Sequence, residues 1–237
     1  MIIAVHQPNF LPWLGYFHKI SHSDRFVLLD DVQYVKGSVA NRAFILRKDG
    51  KAVYITVPVK LSKGSYQNYN EIEIDYTARW PGRALNLIKD SYIKSPHFQA
   101  IFPSIEDIFK KRLPVLSDLN TELIRFALDY LEIKTPLTIS SSIKIPLGSK
   151  SDRNLNLCLY YKADKYISGT GAKKYNDEDS FREKKVELIY TRFNLDDEYT
   201  APDEQGKMVN LGILHFLFEF PKEKINELIY CPSIESY

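Results

Sequence analysis

The chain opens on an apolar run, Ile2 to Val5, breaks at His6-Gln7-Pro8, and becomes continuously apolar again at Phe26 to Leu29. Continuous apolar runs of this length read as strands covered on both faces, as in a parallel sheet. Between them "WLGYFHKISHS" sets Leu14, Phe17 and Ile20 at helical spacing. Strand, loop, helix and strand in about 30 residues predict one βαβ unit. Within 40–58, "NRAFIL" and "AVYITVPV" flank Asp49–Gly50 and predict a hairpin. The Ser-, Asn- and Tyr-rich stretch Lys60 to Glu71 reads as a surface loop or lid, followed by a short strand in "EIEID".

The period then changes. Helices are expected near Arg79–Lys94, His97–Arg112 and Val115–Leu131, with breaks at Pro96 and Pro114. "PLTISSSIKIP", "KYISG" and "KVELIYT" predict further strands, and "SDRNLNLCLYYKA" a helix capped by Ser151 or Asp152. "MVNLGILHFLFEF" reads as a buried helix before a short amphipathic one. The expectation is an α/β fold: a mainly parallel or mixed sheet with flanking helices and a mostly helical middle segment. It is read as one domain over residues 1–237, with a helical subdomain at about 79–132.

Composition narrows the class. The 237 residues are 44% hydrophobic and carry 32 Lys and Arg against 30 Asp and Glu, so a real core is available and no strong net field points to nucleic acid. The opening apolar run is too short for a signal-peptide core, and no later one reaches the length of a membrane span. A cytoplasmic protein is expected. Cys158 and Cys231 lack metal or disulfide spacing, and His18 and His22 have no third ligand at matching spacing, so no metal site is read from them. There is no Walker loop, Gly-x-Ser-x-Gly elbow or dinucleotide fingerprint.

Candidate chemistry gathers at strand ends. Pro8 and Pro12 stiffen "HQPNFLPWLGYFHK", aiming His6, Gln7 and Asn9 where an open α/β sheet binds ligands. A right-handed βαβ unit brings the end of the second strand, with Asp30, Asp31 and Gln33, to the same edge. His6 is the candidate general base, oriented by either aspartate, the alternative being a hydrogen bond that only holds the loop. The aspartates read as an acid/base couple, a turn cap, or a Mg2+ site completed by a phosphate-bearing substrate; no cofactor is otherwise indicated. Asn41 and Arg42 would grip a carboxylate or phosphate. In "YISGTGAKKY", Ser168 and Gly169 open a glycine-bracketed loop that ends in Lys173, Lys174 and Tyr175, suited to an anion. Trp13, Tyr16 and Tyr175 offer aromatic faces for a sugar or base.

These segments, "HQPNFLPWLGYFHK", "LDDVQYVKGS" with "NR", "TVPV", "YISGTGAKKY" and "NLGILHFLF", resemble the WbqC-like family over nearly the whole chain. The chain departs from the family pattern at Lys162–Ala163, where a small-residue pair is usual, and at His215, where an acidic residue is common. Genes of that family often accompany those for O-antigen and other surface polysaccharides, and some members are labelled glycine transferases. The resemblance therefore implies a transferase acting on a nucleotide-linked amino sugar, by aminoacyl, glycyl or other acyl transfer. The alternative it leaves is a non-catalytic protein of the same pathway that binds a sugar nucleotide or assists assembly. "WLGY", Trp13 to Tyr16, also resembles in position the His-x-Gly-His signature of nucleotidyltransferases, keeping the glycine and lacking both histidines.

Overall fold

A computed structural model describes residues 1–61 and 66–231. Residues 62–65 of the expected lid lie outside the described residues. In chain order the elements are β1 (Ile2–His6), α1 (Leu14–Ser21), β2 (Arg25–Leu28), β3 (Arg42–Leu46), β4 (Ala52–Thr56), β5 (Val59–Lys60) and β6 (Glu73–Ile74). Helices α2 (Trp80–Tyr92), α3 (Phe98–Lys110) and α4 (Leu116–Leu131) follow, then β7 (Leu137–Ile139), α5 (Lys150–Tyr160), β8 (Lys165–Gly169), α6 (Glu178–Glu183) and β9 (Glu187–Thr191). The chain continues through β10 (Thr200–Pro202), β11 (Met208–Asn210), α7 (Ile213–Glu219) and α8 (Lys222–Tyr230).

Five strands form one sheet in the order β7-β2-β1-β8-β9, and every pairing in it is parallel. The predicted first βαβ unit is present, with Ile3 opposite Arg25 and His6 opposite Leu28. The chain winds outward from β1 through β2 to β7, then returns to place β8 on the other side of β1. That reversal between β1 and β8 is a topological switch point, where open α/β sheets leave a crevice at the strands' carboxyl ends.

Period-2 alternation divides the core between the two faces. Ala4, Phe26 and Leu28 pack with Leu14, Phe17 and Ile20 of α1 and with residues of α3, α4 and α7. Ile3, Val5, Val27 and Leu29 pack with Leu155 and Cys158 of α5 and Phe181 of α6. Burying these apolar side chains, at about 1.5–3 kcal/mol for each large one, is the main favourable contribution to the fold.

The helical middle matches its 3.6-residue period, and the Asp49–Gly50 turn joins antiparallel β3 and β4 with Gly50 at φ 78°. Two local expectations change. Ser149, not Ser151 or Asp152, precedes α5, because Ser151 Oγ instead accepts the Asp177 N–H at 2.8 Å. Met208–Asn210 is a strand paired with Thr200–Pro202, and only Ile213–Glu219 is helical. Gly212 marks the break: a Cβ there would lie 2.7 Å from the Leu11 carbonyl oxygen, so this turn presses against the opening loop.

Candidate functional site

The switch point holds a small cavity of about 230 Å³, walled by His6, Gln7, Lys19, Ser168, Gly169 and Tyr175, with Asn154, Tyr166 and Gly171 behind them. His6 is the last residue of β1 and faces α1, its ring meeting the Tyr16 ring edge-on at 5.0 Å. The Gln7 carbonyl accepts from Tyr16 Oη at 3.0 Å and pairs with His6 Nδ1 at 3.2 Å. A carbonyl can only accept, so Nδ1 carries the proton and Nε2 is left as the basic nitrogen. Burial and the neighbouring Lys19 charge push the His6 imidazole down to about 3, against the opposing Gln7 carbonyl. The ring is neutral at physiological pH.

Lys19 was not among the expected site residues. It is 7% exposed on α1 and donates through Nζ to the Val5 carbonyl at 2.7 Å. Burial pushes its amine down to about 8, and no carboxylate pairs with it among the described residues. Its sequence signal is faint: a lysine between His18 and Ser21 on a helix whose residues Tyr16 to Ile20 are all buried. Asn154 of α5 and Tyr166, two residues before Ser168 on β8, were likewise missed.

On the other wall, Ser168 is 1% exposed, and its hydroxyl accepts from Asn176 Nδ2 at 3.1 Å. Lys173 leans away, with Nζ over the Tyr190 ring at 5.6 Å, and Lys174 is exposed; neither lines the cavity.

The two aspartates bond elsewhere. Asp30 accepts from Ser140 Oγ at 3.0 Å, Ser141 N at 2.9 Å, Ser141 Oγ at 2.6 Å and Asn70 Nδ2 at 3.4 Å. Asp31 accepts from Ser140 Oγ and from Arg153 Nη1 of α5, the latter at 2.6 Å. Burial opposes ionisation of Asp31, but the Arg153 and Ser140 hydrogen bonds hold its carboxyl below the usual range. Together the pair clasps the end of β2 to the turn after β7 and to α5. His6 faces α1 while Asp31 reaches α5 on the opposite face, and no hydrogen bond joins His6 to either aspartate. Among the described residues no group of three His, Cys, Asp or Glu is placed to hold a metal ion.

The remaining candidates separate further. Asn9, Trp13 and Arg42 line a second cleft of about 400 Å³ on the far side of the opening loop. Asn41 is buried beside it, donating through Nδ2 to the Val57 carbonyl at 2.8 Å. Gln33 is exposed and pairs by its backbone with Asn68. Tyr16 is 3% exposed and belongs to the core, bearing on the cavity only through its contacts with His6 and Gln7. The glycine shared with the nucleotidyltransferase signature has another use here: a Cβ on Gly15 would fall 2.4 Å from Trp13 Cζ2, so the indole occupies the space over the first helical turn.

The chain is 32% identical over 230 residues to "Uncharacterized protein Rv1507c" of Mycobacterium tuberculosis (strain ATCC 25618 / H37Rv), covering 97% of this chain and 98% of that one. No solved structure matches the chain significantly. The model of the WbqC-like protein family matches residues 7–227, and the chain belongs to that family.

Proposed function

We propose that the protein is a transferase acting on a nucleotide-linked amino sugar, by aminoacyl, glycyl or other acyl transfer, with the switch-point crevice as its reactive site. Membership of the WbqC-like family suggests involvement in surface-polysaccharide-related processes. The observation that carries the reading is Lys19: a buried amine with no carboxylate partner beside a neutral imidazole, at the edge where α/β sheets take ligands. A buried cation without a counter-charge is costly unless a ligand supplies one. A phosphate or carboxylate does so, with Ser168 and the Gly169–Gly171 backbone opposite. The crevice, about 230 Å³, is smaller than the roughly 300–1,000 Å³ of whole-ligand sites, so it takes the anionic end of a larger molecule.

The same anion gives His6 its chemistry. With Lys19 alone nearby the imidazole is too weak a base for general-base work near neutrality. An opposite charge placed beside it raises its affinity for a proton. His6 Nε2 then accepts the proton of an attacking amine only when the substrate is bound. The test is a thermal-shift screen of sugar nucleotides with and without Mg2+, followed by mass spectrometry of mixtures with activated glycyl or other acyl donors, such as thioesters, whose thiol leaves as the amide forms. A ligand that raises the melting temperature of wild type but not of Lys19→Met, with a mass gain on the sugar nucleotide that is lost in His6→Ala, is the expected result. Stabilisation without any new product would favour a binding role, which the internal bonding of Asp30 and Asp31 also suits; no stabilisation would remove the proposal.

A further inference from the structure

We infer that the second cleft, on the far side of the opening loop from the crevice, is a binding site for an aliphatic carboxylate, with its chain among apolar walls and its head on Arg42 and Lys207. The inference goes beyond the reading of the crevice and does not rest on it. The walls come from the opening loop, the β3–β4 hairpin and the β10–β11 hairpin, which enclose about 400 Å³, within the range of small-molecule sites.

The charge in the cleft is all of one sign. Arg42 and Lys207 are its charged lining residues, no carboxylate lines it, and neither cation forms an ion pair among the described residues. The Arg42 guanidinium lies 4.3 Å over the Tyr54 ring, and Phe44 covers the other face of that ring with centroids 3.8 Å apart and planes at 23°. This stack is closed, so it offers no ring face to a ligand and instead holds the guanidinium flat. A guanidinium fixed on a ring keeps its donor fork free at the edge, the geometry that grips a carboxylate bidentately. Arg42 Nε is buried without a hydrogen-bond partner, so the protein supplies this cation with neither a counter-charge nor an acceptor at that atom. A partly buried cation in that state is stabilised by a ligand that brings the missing charge.

The rest of the lining sets what the head is attached to. Phe10, Leu11 and Trp13 line the cleft from the loop, Val39 from the segment before β3, and Met208 and Val209 from β11. Val39 is 56% and Met208 49% exposed, so apolar side chains from two separate segments stand open to water around one concavity. The aromatic rings are already engaged within the protein: Phe10 meets Phe109 at 6.3 Å, Trp13 meets Phe193 at 5.6 Å, and Tyr54 is covered by Phe44 and Arg42. What remains open is methyl groups and ring edges, which suit a flexible hydrocarbon chain because apolar burial makes no directional demand.

The cleft is also built rigidly. Gly212 N donates to the Phe44 carbonyl at 2.8 Å and Ile213 N to the Pro12 carbonyl at 2.8 Å, joining the hairpin, the loop and the start of α7. Pre-organisation of this kind lowers the ordering cost of binding.

The experiment is isothermal titration calorimetry of the full chain with butanoate, hexanoate and octanoate, the last below its micellar concentration, and with octan-1-ol and octylammonium. Octanoate should bind, with affinity rising about fourfold for each CH2 along the carboxylate series. Octan-1-ol and octylammonium should each bind about tenfold more weakly or worse. Val39→Asp, which sets a carboxylate at the open rim, should weaken octanoate about tenfold, Lys207→Ala should weaken it about fivefold, and Lys19→Met should leave it unchanged. Val39 and Lys207 are both exposed, so these variants should fold, which near-UV circular dichroism checks. Octanoate binding that Lys19→Met abolishes while Val39→Asp and Lys207→Ala spare it would place the carboxylate in the crevice, overturning the inference and supporting the other reading. No binding of octanoate, equal binding of octan-1-ol, or binding that none of the three variants changes also overturns it.

Discussion

Lys19 reaches the Val5 carbonyl oxygen at 2.7 Å, so the helix leaving the opening loop is pinned by a buried amine to the strand that enters it. With its amine pushed down to about 8 from an ordinary 10.5, folded and unfolded chains are both protonated well below pH 8, and the folded one bears the full burial cost. Between about pH 8 and 10.5 only the unfolded chain holds the proton, so this residue's contribution to stability rises with pH. Wild type should therefore gain stability over Lys19→Met across that window, by up to about 3 kcal/mol in urea titrations. A difference between the two that does not change with pH would show that Lys19 titrates normally.

Acid should act in the opposite direction through other residues. Burial holds His18 and His215 each at about 4 and, with Lys19, His6 at about 3. Below the ordinary value of 6.5 the unfolded chain takes up protons that the folded chain refuses, so stability falls as pH drops toward 4. Lowering pH from 7 to 5 should cost about 2 kcal/mol per buried histidine, before screening and relaxation reduce it. His215→Gln should flatten the decline by one such share, read from urea midpoints at the two pH values.

Alanine usually improves a helix over glycine by about 1 kcal/mol. Gly15→Ala should do the reverse, because its Cβ would lie 2.4 Å from Trp13 Cζ2 and must expel the indole from its seat. The expected loss is about 1–3 kcal/mol, with a red shift in tryptophan emission. Combining it with Trp13→Ala should restore most of the helix gain, which a double-mutant cycle would measure.

Asn120 fastens the opening loop. Its Nδ2 donates to the Pro8 and Ala40 carbonyls, each at 2.7 Å, in a fully buried position. Asn120→Ala leaves both acceptors unsatisfied and should cost about 2–4 kcal/mol by denaturant titration. Because Pro8 lies between the residues that wall the two cavities, ligand binding in both should weaken beyond what the loss of stability alone predicts.

Much of the architecture was legible because it is written in local periods. Apolar runs at Ile2–Val5 and Phe26–Leu29 required doubly covered parallel strands, the helical spacing of Leu116, Leu119 and Leu123 required α4, and Asp49–Gly50 required a hairpin turn. The meeting of two segments far apart in sequence was legible too, since His6 and Gln7 line one crevice with Ser168, Gly169 and Tyr175 between β1 and β8. What only the tertiary structure decided is the partner of each side chain at that edge. Asp30 and Asp31, just past the end of β2, both bond Ser140 in the turn after β7, and Asp31 goes on to Arg153 rather than to His6. Lys19 is a surface residue by composition and a buried one by position, because α1 is covered both by the sheet and by α8. Asn9, Trp13 and Arg42 fall into a separate cleft because the β3–β4 and β10–β11 hairpins close over the outer side of the loop, and contacts between segments so far apart in sequence leave no mark in any local period.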